Sequence, residues 1–209
     1  MTSGYWWAAY LRLIGLWWLF LGVYAGCAWI TARRDDVGTF RFAWEAGMPF
    51  VPWMLLPYLS VGVLAACAPL LGLTTGGLNA FTARMAAATV AAGLCYLLWP
   101  LELAEARPHV AGFFGRVYEL VKDAAPPTNL CPSLHVAYAV ILWPLYRRRV
   151  GRFATPLIDG WFLLIVVSVV LVRQHHVVDV IGGLLLAAAC LTLIPGGRWR
   201  LMPDASPVR

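Results

Sequence analysis

Residues 156–194 read PLIDGWFLLIVVSVVLVRQHHVVDVIGGLLLAAACLTLI. Two apolar runs, 156–172 and 177–194, are separated only by Arg173-Gln174-His175-His176. Each run is near the length of a bilayer crossing, so the stretch predicts a tight helical hairpin with its polar residues at the turn. Immediately upstream, Cys131-Pro132-Ser133-Leu134-His135 opens another apolar run, 134–146. Both polar segments therefore lie where an apolar run meets a loop, and each supplies a histidine.

The remainder of the chain extends this pattern. Of its 209 residues 61% are hydrophobic and only 12% charged, with a mean hydropathy of +0.73. A soluble domain of this size cannot hide so much apolar surface, so lipid must be the solvent. Six runs are candidate spans: 7–30, 49–72, 84–101, 134–146, 156–172 and 177–194. The expected fold is an all-α integral membrane protein, a bundle of six transmembrane helices. The fourth run is short and crosses only if its helix starts near Pro132 while Arg147, Arg148 and Arg149 snorkel at its far end. No small-residue cleavage site follows a basic leader, so the first run reads as a retained span. The expected organisation is a first helix and loop over 1–44, a membrane catalytic domain over 45–195 and a cytoplasmic tail over 196–209.

Charge orients the bundle. Six spans put both termini on one side, with Arg12, Arg84, Arg147, Arg148, Arg149, Arg152, Arg198, Arg200 and Arg209 against Asp159 and Asp204. The other side carries seven basic and eight acidic residues. By the positive-inside rule the first side is cytoplasmic, and the loop 102–133 and the turn at His175 both face outward. Trp6, Trp7, Trp17, Trp18, Trp53, Trp99, Trp143, Trp161 and Trp199 mostly fall near run ends, as an aromatic belt would. Fifteen arginines beside the single Lys122, with many alanines, suggest a GC-rich bacterial genome and hence an inner membrane. The net charge of +6 reports topology and calls for no nucleic-acid partner. Five cysteines without C-x-x-C spacing read as packed thiols, and no metal site is expected.

The histidines specify a chemistry. His175 and Asp179 are spaced i, i+4 and share a helix face. A carboxylate at one ring nitrogen fixes the tautomer and makes the other nitrogen a better nucleophile, able to attack phosphorus. His176 reaches Asp179 at i, i+3, so spacing alone leaves the choice of histidine open. At the first turn of the fourth helix, the N–H groups of Ser133 and Leu134 with the Ser133 hydroxyl would form an anion site. His135 there could protonate a leaving oxygen and later activate an acceptor. Arg107 and Arg173 are candidates to grip phosphate oxygens.

Pro132-Ser133-Leu134-His135 resembles the second signature of the type 2 phosphatidic acid phosphatase (PAP2) superfamily, and His175-x-x-x-Asp179 resembles its third. Leucine between serine and histidine, with Gln174-His175, is most similar to the branch containing inositol phosphorylceramide synthases. The stretch from Pro49-Phe50-Val51-Pro52-Trp53 through Tyr58-Leu59-Ser60 resembles the opening of that branch's domain, so the likeness covers roughly 45 to 195. The resemblance implies His175 as phosphohistidine nucleophile, Asp179 as its partner, His135 as general acid and Ser133 in the phosphate pocket. It also implies no cofactor, a lipid phosphate substrate in the membrane and a possible headgroup alcohol as acceptor. The first signature's lysine position holds Pro100 before Arg107-Pro108, and Val169 follows Ser168 where the third signature has arginine. Arg173 could supply that missing charge.

Other classes of function are open on the sequence. A haem-binding redox protein could use His135 with His175 or His176 as axial ligands, but Asp179 and the Pro132-Ser133 turn would then have no purpose. A phospholipid transporter could use the arginines alone. A hydrogen-bonding role for His176 is as good a reading as catalysis. His109, Lys122, Asp123 and Asn129 read as loop residues, and Glu102 and Glu105 would share a helical face without other support for carboxylate catalysis.

Overall fold

The computed structural model describes residues 3–125 and 127–194. The predicted tail 196–209, with Arg198, Trp199, Arg200, Asp204 and Arg209, lies outside the described residues. Among the described residues the chain forms seven α-helices: α1 (Ser3–Thr31), α2 (Leu55–Cys67), α3 (Thr75–Leu98), α4 (Gly112–Ala124), α5 (Leu134–Arg147), α6 (Thr155–Leu171) and α7 (Val177–Leu193). Short 3-10 turns at Pro52–Met54 and Ala68–Leu71 extend α2 at both ends. A two-residue parallel pair, β1 (Gly38–Thr39) with β2 (Leu101–Glu102), ties the α1–α2 and α3–α4 connections together.

Among the described residues three helical stretches are long and apolar enough to cross a membrane: Ser3–Thr31, Pro52–Leu71 and Thr75–Leu98. α6 and α7, at 17 residues, are apolar but about 26 Å long at 1.5 Å per residue. α5, at 14 residues, is shorter still. It compensates by position, because α2, α3, α6 and α7 all pack against it. Val136, Ala137, Ala139, Ile141, Leu142 and Leu145 of α5 are completely buried, so it is the axis of the bundle. α1 packs mainly on α3 and turns Trp7, Trp17, Trp18 and Trp29 outward. Trp17 and Trp18 fall midway along this helix, so they lie outside any belt at its ends.

Three expectations from the sequence need correction. α3 begins nine residues before the apolar run, at Thr75, because the Thr74 hydroxyl accepts the Gly77 N–H at 3.1 Å and caps it. Gly76, Gly77 and Asn79 dilute the hydropathy of that first stretch without interrupting its backbone hydrogen bonds. The loop 102–133 contains α4, whose apolar residues recur at helical spacing. Its Tyr118 is fully buried and meets the Phe50 ring edge-on, with centroids 5.0 Å apart. Glu102 ends β2 and Glu105 lies in the loop after it, so the two share no helical face.

One end of the bundle gathers three connections. Gly38 N–H donates to Pro100 O at 3.0 Å, Val51 N–H to Leu171 O at 2.9 Å, and Ala104 N–H to His176 Nε2 at 3.1 Å. The loop 102–133 and the α6–α7 turn thus meet at the same end. At the opposite end Arg149 holds the Leu71 and Gly72 carbonyls, so it braces the α2–α3 turn as well as carrying charge.

Candidate active site

The α5 N-terminus and the α7 N-terminus are held edge to edge by backbone. Ser133 N–H donates to the Asp179 carbonyl at 2.9 Å. That approach requires Gly183, since a Cβ there would lie 2.6 Å from Ser133 O and 2.9 Å from Val136 Cβ. Tyr96 of α3 donates its hydroxyl to Pro132 O at 3.0 Å and steadies the segment from behind. Ser133 is the N-cap of α5, its Oγ accepting the Val136 N–H at 3.4 Å, and Pro132 lies outside the helix. The Ser133 N–H is therefore engaged by α7, which removes it from the anion site expected at this helix start. Ser133 itself is fully buried.

α6 ends where Arg173 takes a left-handed conformation, φ 53°, after the C-cap Val172. The reversal lets both Gln174 and His175 N–H groups bond Val169 O at 3.1 Å, closing the helix. Glycine or asparagine is the usual residue in such a place, so an arginine there is kept at some conformational cost. Its guanidinium donates to Met48 O at 2.9 Å and to the Glu105 carboxylate.

The rings of His135 and His175 are neighbours, with centroids 6.2 Å apart and planes tilted by 58°. Tyr58 of α2 stacks on His135, centroids 4.1 Å apart and planes within 16°. His175 Nδ1 lies 3.4 Å from Asp179 Oδ2, and Asp179 is completely buried. Oδ2 accepts the His176 N–H at 2.8 Å, so the carboxylate starts α7 and faces His175, whose Nδ1 has no hydrogen bond among the described residues, with one group. Asp179 Oδ1 has no hydrogen bond among the described residues, which leaves acceptor capacity beside the imidazole.

The structure separates the two adjacent histidines. His176 accepts the Ala104 N–H at Nε2, and its Nδ1 lies 3.4 Å from Glu45 Oε2. With the Nε2 lone pair engaged, its remaining nitrogen must carry the proton toward Glu45. Neither nitrogen is left as a nucleophile. Glu45 also accepts Phe42 N–H at 2.8 Å and Val177 N–H at 3.0 Å, so this buried carboxylate pins the α7 start to the α1–α2 connection. Sequence reasoning missed Glu45, although a lone acid just before an apolar run was a visible signal.

His175 lines a small cleft with Arg173, Arg41 and Glu105. Arg107 stands elsewhere, donating to Lys122 O at 3.1 Å and Ala125 O at 2.7 Å and so capping α4. Arg107 nonetheless acts electrostatically on Tyr118, whose hydroxyl burial pushes up to about 12 against that charge. Burial, reinforced by the Asp179 charge, pushes the Cys131 thiol up to about 12. All five cysteines are free. No cluster of three or more His, Cys, Asp or Glu side chains suited to a metal occurs among the described residues.

A family model described as the PAP2 superfamily matches residues 80–203, from within α3 through α7. The chain belongs to the PAP2 superfamily. Members of the PAP2 superfamily are generally phosphatases or phosphotransferases, and membership supports a phosphatase-type activity on lipid phosphate. The PAP2 match contains Ser133, His135, His175 and Asp179, while Arg41, Glu45 and Tyr58 precede it. Comparison with curated proteins and with solved structures gives no match.

Proposed function

We propose that this PAP2 protein is a membrane phosphatase or phosphotransferase that works through a phosphohistidine on His175, with the phosphate of a lipid headgroup as substrate. His175 Nε2 attacks phosphorus, and the P–O bond to the lipid alcohol breaks as His135 protonates the departing oxygen. Asp179 holds the Nδ1 proton of His175 and stabilises the imidazolium that forms. In the second step His135 takes a proton from water, or from a headgroup alcohol. The resulting oxygen attacks phosphorus and the N–P bond breaks. Ser133 shapes the phosphate pocket, Arg173 binds phosphate oxygens, and Arg107 adds positive potential from the α4 side.

The observation that carries this reading is the 6.2 Å pairing of the His135 and His175 rings, near enough for one phosphoryl group to touch both. It is joined by the contacts of His176, whose Nε2 accepts the Ala104 N–H and whose Nδ1 lies 3.4 Å from Glu45, and these favour His175 as the nucleophile. Tyr58 stacked on His135 and Gly183 seating α7 against α5 support the two rings at that separation. In the proposed membrane arrangement α5, α6 and α7 join the three longer helices as spans. The end bearing Arg147, Arg148, Arg149 and Arg152 is cytoplasmic, and the cleft opens at the outer headgroup layer. Leucine in Pro132-Ser133-Leu134-His135 favours likeness to the inositolphosphotransferase branch.

The test is phosphate release from lipid phosphates and phosphodiesters by purified protein in detergent with EDTA, beside His175→Gln, with and without inositol or glycerol. Release by the wild type alone supports the mechanism, and an alcohol adduct marks transfer. Full activity in His175→Gln refutes it.

A further inference from the structure

Arg41 was absent from the expected site and lies outside the superfamily match, yet it lines the cleft with His175. Its Nη1 binds Glu105 Oε1 while Arg173 Nη1 binds Glu105 Oε2. One carboxylate thus lies between two guanidinium groups, each oxygen on a different arginine. Two adjacent oxygens of a phosphate offer the same pair of acceptors with more charge. The three side chains keep 29–33% of their surface exposed, so the ion pairs are open to exchange. Free space in the cleft is only about 20 Å³, room for a water or two and not for a phosphate beside Glu105. Glu105 sits on the irregular segment between β2 and α4, where displacement breaks no helix or sheet. The left-handed arginine at position 173 is a second sign, because this strained residue places its guanidinium here.

We propose that Arg41 and Arg173 form the substrate-phosphate clamp, and that Glu105 is an internal anion which the substrate's phosphate displaces. Arg41 then supplies the cation missing where Pro100 stands in the family's first signature. Two guanidiniums with a carboxylate carry a net single positive charge, and with a phosphate dianion they are neutral. Displacement therefore favours a dianionic monoester over a singly charged diester. This rests on the phosphoryl-transfer reading for its substrate, but binding tests it without turnover.

The experiment measures inorganic phosphate binding by calorimetry to the full chain in detergent, in the His175→Gln background, for otherwise unaltered protein and for Glu105→Gln, Arg41→Ala and Arg41→Lys. Glu105→Gln should tighten binding several-fold, because the competing anion is gone. Arg41→Ala should weaken it about tenfold or more, as loss of a charge-assisted bond does, with partial recovery in Arg41→Lys. Binding that is undetectable, or unchanged in both Glu105→Gln and Arg41→Ala, overturns the clamp. Binding that follows this order in a protein whose wild type proves inactive on every lipid phosphate leaves the clamp standing and removes only the phosphohistidine reading.

Discussion

Replacing Gly183 with alanine tests whether the α5–α7 seam sets the distance between the two histidines. The added Cβ would stand 2.6 Å from the Ser133 carbonyl oxygen, whereas ordinary contact begins at 3.4 Å. The helices must part locally by about 0.8 Å, the difference between those two distances. Neither neighbour can yield cheaply, since Ser133 O is backbone that already accepts Ala137 N–H at 3.0 Å and Val136 is completely buried. An opening of that size would stretch the 2.9 Å Ser133 N–H bond to Asp179 O past useful length. Overpacking of this kind costs about 1–3 kcal/mol. A misplacement near 1 Å between reacting groups lowers turnover about 10²-fold. The assay is kcat for lipid phosphate hydrolysis in detergent, beside the thermal midpoint of the same sample. A Gly183→Ala protein that is folded, with its midpoint lowered and kcat down by about 10- to 100-fold, is the expected result. Gly182→Ala meets Cys131 and Pro132 at 3.0–3.2 Å and should be milder on both readings. Unchanged kcat and midpoint in Gly183→Ala would refute the reasoning, because the seam would then not hold the histidines.

Three further outcomes follow from the site. Asp179→Asn keeps an oxygen to accept the His176 N–H but removes the charge facing His175. It should spare the fold, by circular dichroism and thermal midpoint, while lowering kcat by about 10²-fold or more. His176→Ala takes the acceptor from Ala104 N–H and the partner from Glu45. The midpoint should drop while acid-labile phosphoryl label still accumulates on His175, and loss of label in this variant alone would reverse the two roles. Cys131, its thiol held up at about 12, is neutral far above the pH at which an ordinary cysteine ionises. Iodoacetamide at pH 9, followed by peptide mass spectrometry, should leave Cys131 unmodified in folded protein and modify it after denaturation.

Much of this architecture was legible in the chain because it is local. Apolar runs mark the helices at 134–146, 156–172 and 177–194 to within about a residue, since burial in lipid or core selects side chains continuously along a helix. His175 and Asp179 could be placed on one face by spacing, and Ser133 and His135 at a helix start. α4 and the first turns of α3 were hidden for a related reason. Hydropathy follows burial, and a capped or half-exposed helix satisfies its backbone without an apolar run.

What the sequence alone determined is a helical protein with runs apolar enough to cross a membrane and two histidine-bearing segments suited to phosphoryl chemistry. Only the tertiary structure decided which groups contact each histidine and which cations line the cleft. His176 is engaged by Ala104, 72 residues away, and Glu45 reaches Val177 across 132 residues. Arg41 and Arg173 meet on Glu105 from 64 and 68 residues off. The availability of a lone pair or a charge depends on which group from a distant segment occupies it. Periodicity and spacing report only on neighbours along the chain, so those partners emerge when the helices pack.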